Sequence, residues 1–206
     1  MANNKKNKKR IGLFYGSFNP ITIGHLVVAR KALDDTDLDE IWFVVSPQNP
    51  HKQNTGELID ADHRLAMVQM AIEGVDDFKA CDVEFSLPQP SYTHVGLRVL
   101  RKMHPNTHFT IVGGTDLQRK MNIWKSHKEI LDHHDLLIYP RTLSAKDLKY
   151  AEASDFVESK TTHLKNVPNL EISATYIREH LKKGKSVQYL IPDNVINHIK
   201  LNNLFK

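Results

Sequence analysis

The sequence contains a single cysteine, Cys81, among its 206 residues. An intramolecular disulfide is therefore excluded, and a reducing cytoplasm is the compartment that we expect. Cys81 lies within an apolar run, which favours a buried structural thiol over a nucleophile. No apolar run approaches the roughly 20 residues that a membrane-spanning helix needs, so no association with a membrane is predicted.

Strong charge is also lacking, because the formal net charge is only +4. Much of this charge comes from residues 1–10, which are basic and lack the apolar core of a signal peptide. We predict a disordered basic tail over residues 1–10 and one domain over residues 11–206, since a chain of this length supports one α/β core. The tail is compatible with a solvated segment or a nucleic-acid contact, and we expect the solvated segment and no nucleic-acid partner.

Short apolar runs alternate with segments of helical period along most of the chain, as in βαβ units. This pattern predicts an α/β fold with a single Rossmann-like open, mainly parallel sheet and helices on both faces. The predicted strands are residues 11–15, 41–45, 78–83, 109–112, 136–139 and 170–172. The predicted helices are residues 22–33, 60–73, 93–103, 124–133, 175–183 and 193–201. Ligands of such sheets lie beyond the carboxyl ends of the strands, so motifs that follow strands are candidate sites.

The segment GSFNPITIGH, residues 16–25, directly follows the first predicted strand. Pro20 suits the first turn of a helix, and a strand–turn–helix junction directs free N–H groups and the helix dipole at one point, where a phosphate can bind. Thr22 and His25 are predicted to share a helix face, and Gly24 lets a ligand or a neighbouring backbone come close. The segment is neither a Walker loop nor a three-glycine dinucleotide fingerprint, and an ordinary turn with one surface histidine is the alternative.

This segment resembles the turn of the (His/Thr)-x-Gly-His nucleotidyltransferases, most closely that of the nicotinate or nicotinamide mononucleotide adenylyltransferases. Their pattern, Gly-x-Phe-(Asp/Asn)-Pro-Ile-(His/Thr)-x-x-His, is met at Gly16, Phe18, Asn19, Pro20, Ile21, Thr22 and His25. Bacterial nicotinate enzymes usually carry histidine in place of Thr22, whereas threonine is familiar in nicotinamide-type and phosphopantetheine-type relatives. The resemblance implies that ATP contacts Gly16, Ser17, Phe18, Gly24 and His25, and that the pyridine nucleotide contacts Asn19.

Two further loops resemble segments of the same family. Residues 46–52 end in Pro-His-Lys, which alone is compatible with a rigid turn that ends in a cation. The family has Pro-x-x-Pro-His-Lys here, which implies that Lys52 meets phosphate groups as a mobile point charge. Ser91, Tyr92 and Thr93 resemble the Pro-Ser-Tyr-Thr segment beside the pyridine nucleotide, and a simple helix cap is the alternative.

The fourth predicted strand ends in two glycines, and Asp116 and Trp124 follow it. Gly113 allows close approach of a backbone, and Asp116 is suited to accept hydrogen bonds from ribose hydroxyls or to cap a helix. The family pattern Gly-x-Asp followed by Trp implies that Asp116 faces the site and that Trp124 stacks on the pyridine ring. A plain core position is the alternative for Trp124.

The segment ISATYIR, residues 172–178, follows the last predicted strand. Ser173 and Thr175 can bind phosphate oxygens or cap a helix, and Arg178 can form a charge-assisted fork to the β- and γ-phosphates. The segment resembles the family signature Ile-Ser-Ser-Thr-x-Ile-Arg, with Ala174 in place of the middle serine. The resemblance, which spans about residues 11–200, implies ATP contacts at Ile172 as well.

The sequence therefore predicts an enzyme of NAD biosynthesis that transfers the adenylyl group of ATP to nicotinate mononucleotide and releases pyrophosphate. The predicted catalytic residues are His25, Thr22, Arg178 and Lys52. Mg²⁺ is expected to arrive with ATP, and the spacing of the histidines at positions 127, 133 and 134 disfavours a separate metal site. The alternatives are nicotinamide mononucleotide as the main substrate, another adenylyl- or cytidylyltransferase, and a non-enzymatic nucleotide- or nucleic-acid-binding module. The oligomeric state is not predicted.

Overall fold

A computed structural model describes residues 8–48, 58–143, 145, 147–150, 152, 154–168, 170 and 172–206. The strands are β1 (Lys9–Gly16), β2 (Glu40–Val45), β3 (Phe78–Cys81), β4 (Thr107–Gly114), β5 (Asp135–Tyr139) and β6 (Thr161–His163). The helices are α1 (Ile23–Asp34), α2 (Ala61–Ala71), α3 (Thr93–Met103), α4 (Thr115–Lys120), α5 (His127–His133), α6 (Asp155–Glu158), α7 (Ala174–Lys182) and α8 (Asp193–Leu201). Short 3₁₀ turns occupy Val83–Ser86, Met121–Ile123 and Asp147–Lys149.

The six strands form one open sheet in the order β3-β2-β1-β4-β5-β6, and every pair is parallel. The predicted Rossmann-like fold is thereby confirmed. The strand order reverses between β1 and β4, whose pairing ends at Phe14 and Val112, two residues before the strands themselves end at Gly16 and Gly114. Crevices at such reversals are where open α/β sheets bind ligands.

Each face of the sheet is covered by its own apolar core, because alternate side chains of β1 point to opposite faces. Phe14 belongs to a first core that contains buried residues of α1, α2, α7 and α8. Ile11 and Leu13 belong to a second core with buried residues of α3, α5 and α6. Cys81 is buried in the second core, and this burial raises the pKa of its thiol to about 11, as expected of a structural thiol. No described helix is long and apolar enough to cross a membrane.

The predicted last strand at residues 170–172 is wrong, since Leu170 and Ile172 lie outside any strand. The sixth strand is instead Thr161–His163, which pairs in parallel with β5 at the edge of the sheet. An edge strand is covered on fewer sides, so its side chains can be polar, and β6 contains no apolar run from which it could be predicted. Ile172 is apolar for a different reason, because it packs against the first core.

Several predicted boundaries also differ from the structure. Strand β1 begins at Lys9, because Lys9 and Arg10 pair with the start of β4, while residues 1–7 of the predicted tail lie outside the described residues. Pro20 is not in the first helical turn: it follows a cis peptide bond from Asn19 and precedes Thr22, the extended N-cap residue of α1. Trp124 precedes α5 rather than beginning it.

His134 is a structural histidine of the second face of the sheet. Its side chain is buried, its Nδ1 donates to the Phe109 carbonyl at 3.1 Å, and its Nε2 lies 3.4 Å from the Arg101 guanidinium. Burial, assisted by the neighbouring positive charge of Arg101, lowers the pKa of His134 to about 4. The imidazole is therefore neutral in the folded protein at neutral pH.

This lowered pKa predicts a loss of stability in mild acid. Below a pH of about 6.5 the unfolded chain protonates His134 whereas the folded protein does not, so the free energy of unfolding falls until the pH reaches about 4. The difference amounts to at most about 3 kcal/mol. In urea unfolding at a series of pH values, His134→Gln should reduce this pH dependence, whereas His133→Gln, at the exposed neighbouring position, should keep the wild-type slope. Equal slopes in all three proteins would contradict the assignment.

Candidate active site

The turn between β1 and α1 is buried and closely packed. Ser17, Phe18 and Asn19 are each less than one-tenth exposed, and the Gly16 carbonyl accepts a hydrogen bond from the Ser46 N–H at 3.0 Å. Phe18 adopts a left-handed conformation that places its ring against Gly16. A Cβ atom at Gly16 would lie 2.7 Å from the Phe18 ring, so only glycine fits there.

Thr22 and His25 are in direct contact, as the sequence spacing predicts. The backbone N–H of Thr22 donates to Nδ1 of His25 at 3.0 Å, and the Thr22 hydroxyl lies 2.9 Å from the same nitrogen. A neutral imidazole that accepts at Nδ1 carries its proton on Nε2. The edges of Phe14 and Phe18 pack against the ring, at centroid distances of 5.9 and 5.3 Å. The His25 ring is therefore held as an Nε2–H donor beside the turn.

The N-terminus of α1 differs from the expectation of free backbone N–H groups. The Ile23 N–H donates to the Leu190 carbonyl at 3.0 Å, and the His25 N–H donates to the Thr22 carbonyl at 3.0 Å. The loop before α8 therefore satisfies one of the donors that were expected to meet a phosphate. A Cβ atom at Gly24 would lie 3.5 Å from the Thr22 hydroxyl and 3.7 Å from the Ile172 carbonyl oxygen, which are ordinary contact distances, so the packing of the described residues does not by itself require glycine there.

Arg178 is brought to this turn from the far end of the sequence. One nitrogen of its guanidinium donates to the Asn19 carbonyl at 3.1 Å and another to the Thr175 hydroxyl at 3.3 Å. The Ser173 side chain caps α7 by accepting from the Tyr176 N–H at 3.1 Å. The capping alternative for Ser173 is thus observed, while Arg178, Thr175 and Asn19 form one cluster.

Asp116 lies at the carboxyl end of β4, in the first turn of α4. Its carboxylate is 3.6 Å from the guanidinium of Arg141, and the Thr115 hydroxyl donates to the Arg141 carbonyl at 2.8 Å. A Cβ atom at Gly113 would lie 2.5 Å from Leu117, so glycine is needed where α4 turns back on the strand. Arg141 was not predicted, because an arginine in the loop after a strand carries no distinguishing spacing.

The Ser91–Thr93 segment is fixed by a buried carboxylate. The Ser91 hydroxyl donates to Glu84 at 2.8 Å, and burial raises the pKa of Glu84 while hydrogen bonds from side chains oppose that shift. Tyr92 is the N-cap residue of α3, and Thr93 begins that helix. Trp124 is partly exposed and packs against the second core.

Arg64 is the main residue of the site region that sequence reasoning missed. It lies in α2, is fully buried, and donates to the carbonyls of Ile59 at 3.0 Å, Ser17 at 2.8 Å, Ser46 at 2.7 Å and Pro47 at 2.6 Å. Its guanidinium therefore ties the turn after β1 to the loop after β2. Burial lowers the pKa of Arg64 to about 10, which leaves it protonated at neutral pH. In the sequence it looks like one more charged residue on an exposed helix face.

The predicted phosphate contact of Lys52 concerns a residue that lies outside the described part of the chain. Among the residues that the structure does describe, no group of three or more His, Cys, Asp or Glu side chains is placed to hold a metal ion. Asp116 is the one predicted site residue with a carboxylate, a donor set that fits Mg²⁺ held mainly by phosphate oxygens and water.

A family model described as "Cytidylyltransferase-like" matches residues 13–180, which include the β1–α1 turn, the end of β4 and the start of α7. The chain belongs to this family. A relative from Cytophaga hutchinsonii, named "Probable nicotinate-nucleotide adenylyltransferase", is 45% identical over 186 residues, 90% of this chain and 93% of the relative. One of the same name from Flavobacterium johnsoniae is 39% identical over 200 residues, 96% of this chain and 99% of the relative.

A solved structure supports the fold independently. Plasmodium falciparum nicotinic acid mononucleotide adenylyltransferase, complexed with NaAD, superposes on this cytidylyltransferase-like chain with a TM-score of 0.72. The alignment covers 96% of this chain and 97% of the other at 23% sequence identity. The fold is therefore shared at a low level of sequence identity.

The contacts of Arg64 predict that it supports turnover by positioning the two loops. Arg64→Lys keeps the charge but cannot reach four carbonyls, so it should lower the free energy of unfolding by about 2–4 kcal/mol. Displaced loops should also reduce kcat at least about tenfold. Met67→Ala, a buried change on the same helix that touches the core only, should destabilise by about 2–5 kcal/mol and leave kcat nearly unchanged.

Urea unfolding and steady-state kinetics, measured where both variants are fully folded, separate these effects. A similar kcat for Arg64→Lys and Met67→Ala would mean that Arg64 serves stability alone.

Proposed function

We propose that the protein transfers the adenylyl group of ATP to nicotinate mononucleotide, which yields nicotinate adenine dinucleotide and pyrophosphate for NAD biosynthesis. The observation that carries this proposal is the cluster at the strand reversal, where Thr22 orients His25 and the Asn19 carbonyl holds Arg178. The names of the relatives supply the substrate class. Because ATP is an intracellular substrate, we propose the cytoplasm as the site of the reaction.

The reaction needs no covalent enzyme intermediate. An oxygen of the mononucleotide 5′-phosphate attacks the α-phosphorus of ATP, a P–O bond forms, and the bond to the β-phosphate oxygen breaks as pyrophosphate leaves. A phosphate is already an adequate nucleophile, so the protein must align the reactants and stabilise the developing charge. A site with donors and cations, such as His25 and Arg178, is suited to that task.

His25 is proposed to stabilise charge on the α-phosphate. Its Nδ1 is occupied by the Thr22 N–H, so Nε2–H is the donor that it offers to a non-bridging oxygen. The contact with the Thr22 backbone fixes both the tautomer and the orientation of the ring before the substrate arrives. Preorganisation of this kind lowers the barrier because no reorientation is needed in the transition state.

The leaving pyrophosphate is proposed to meet Arg178, with Thr175 beside it and Lys52 supplying a further charge. Arg178 is held by Asn19 and Thr175 through two of its nitrogens. Its planar fork can reach two phosphate oxygens at once, which a lysine cannot reproduce. The buried charge of Arg64 lies behind the same turn, at the Ser17 carbonyl, and adds to the positive potential.

Mg²⁺ is proposed to accompany ATP, and when bound it neutralises part of the triphosphate charge. Near the end of β4, Asp116 is the predicted site residue that carries a carboxylate. This carboxylate lies 3.6 Å from the guanidinium of Arg141. We propose ribose hydroxyls as the partners of Asp116. The pyridine ring is proposed to lie between the Ser91–Thr93 segment and the accessible part of Trp124.

Turnover with ATP and each pyridine mononucleotide tests this function directly. We expect pyrophosphate release with nicotinate mononucleotide and a lower kcat/KM with nicotinamide mononucleotide, measured at the same ATP concentration. A higher kcat/KM with the amide would change the assigned substrate and keep adenylyl transfer. Release of pyrophosphate with neither mononucleotide would refute the proposed function.

The role of His25 predicts a selective loss of rate. His25→Ala should lower kcat by about 10²–10³-fold with a smaller change in the KM for ATP, because the donor acts on charge that develops in the transition state. His163→Ala is the matched control, since His163 lies on the exposed edge strand β6. The kcat of each variant is measured by steady-state kinetics and compared with that of the wild type. A near-normal kcat for His25→Ala would remove His25 from the mechanism.

A further inference from the structure

Helices α2 and α8 are joined by a contact between two histidines. Nδ1 of His63, near the start of α2, lies 3.1 Å from Nε2 of His198, near the end of α8. At the other end of the pair, the Asn194 side chain donates to the Met70 carbonyl at 2.6 Å. The two contacts follow opposite orders along the helices, so the helices are antiparallel. Buried residues of both lie in the first core, and the histidines join the helices at one end of this packing.

The direction of the hydrogen bond between the histidines is set by Asn202, the C-cap residue of α8. The Asn202 amide nitrogen donates to the His198 carbonyl at 2.9 Å and lies 3.4 Å from Nδ1 of His198. An amide NH₂ group can only donate, so this Nδ1 accepts and the neutral imidazole carries its proton on Nε2. His198 therefore donates to Nδ1 of His63, and the three side chains form one chain of donors and acceptors.

An added proton disrupts this chain wherever it binds at a contact. On Nδ1 of His63 it would place N–H groups on both sides of the 3.1 Å contact. On Nδ1 of His198 it would place an N–H group opposite the NH₂ group of Asn202. Both histidines are partly buried, and burial together with the charge of a protonated His63 lowers the pKa of His198. The chain is therefore complete when both imidazoles are neutral.

Neighbouring charges do not offset this effect. Asp62 on α2 and Lys200 on α8 are the nearest charged residues along the two helices, and both are exposed. Among the described residues, burial and His63 are the causes of the lowered pKa of His198, and no carboxylate opposes them. Protonation of the pair thus lacks a compensating anion in the described part of the chain.

Both helices that the histidines join also hold the candidate active site. Arg64 follows His63 in α2 and donates to carbonyls of the turn after β1 and of the loop after β2. The loop before α8 provides the Leu190 carbonyl, which accepts from the Ile23 N–H at the start of α1. A change in the packing of α8 against α2 can therefore reach the β1–α1 turn from two sides.

We propose that the hydrogen-bond chain from Asn202 through His198 to His63 is a pH-sensitive latch, closed when both imidazoles are neutral and released in mild acid. With the latch open, the histidines protonate near their ordinary pKa of about 6.5, whereas the closed latch resists the proton. The stability of the closed form is therefore lost as the pH falls below about 6.5. The latch is independent of the proposed function, and its expected effect on turnover rests on that function.

Hydrogen exchange of the α8 amides at pH 7.5 and 5.5, corrected for intrinsic rates, tests the latch. Protection factors in the wild type should fall about fivefold more than in His198→Gln, because glutamine does not titrate. Asn202→Asp should also show the smaller fall, since a carboxylate accepts from a protonated Nδ1 and favours the imidazolium. His163→Gln, on the exposed edge strand β6, is the control and should behave as the wild type. His134 is intact in all four proteins, so its effect on global stability is common to them.

An equal fall in the wild type, His198→Gln and Asn202→Asp would refute the latch. A reduced fall in His163→Gln as well would also refute it, because any histidine would then produce the effect.

Turnover tests whether the latch reaches the active site. The ratio of kcat at pH 5.5 to kcat at pH 7.5 should be about threefold higher in Asn202→Asp than in the wild type, because His25 and the substrate phosphates titrate alike in both. The expected exchange result with an unchanged kcat ratio would refute the link between the latch and the site. Wild-type protein that uses neither mononucleotide would refute the proposed function, while the exchange experiment would still decide the latch.

Discussion

The buried guanidinium of Arg64 is the contact on which the geometry of the candidate site depends. It joins the turn after β1 to the loop after β2 through the carbonyls of Ser17, Ser46 and Pro47. A charge removed from water costs several kcal/mol unless it is well solvated by the protein. Carbonyl oxygens solvate this charge but carry no net charge of their own. A carboxylate partner would instead have neutralised it. The same contacts that fix the two loops therefore leave a positive potential behind the turn where phosphates are proposed to bind.

The second constraint is topological, because residues far apart in sequence must reach one edge of the sheet. Arg178 contacts Asn19 although 159 positions separate them. Ile177, one residue earlier, is fully buried in the same apolar core as Phe14 of β1. Packing of Ile177 therefore sets the height and rotation of α7, and the next side chain reaches the β1–α1 turn. A surface arginine is thus positioned by an apolar contact that carries none of the chemistry.

The parts that the sequence predicted are those in which one physical signal dominates. Buried parallel strands such as β2 and β5 appear as apolar runs, and the turn at Gly16 needs a glycine, so both were recognisable. Strand β6 is polar and lies at an edge, so its existence depends on pairing with β5 rather than on its own composition. Arg64 could not be recognised for a similar reason: its partners are backbone carbonyls, which exist at every position and leave no trace in the sequence.

We expect the identity of residue 22 to bear on rate more than on the choice of pyridine substrate. The contact that orients His25 comes from the backbone N–H of Thr22, which a histidine at that position would supply equally well. The Thr22 side chain adds a hydroxyl 2.9 Å from the same ring nitrogen, where the phosphates that both mononucleotides share are proposed to bind. Discrimination between a carboxylate and an amide must then arise where the substrates differ, at the ring.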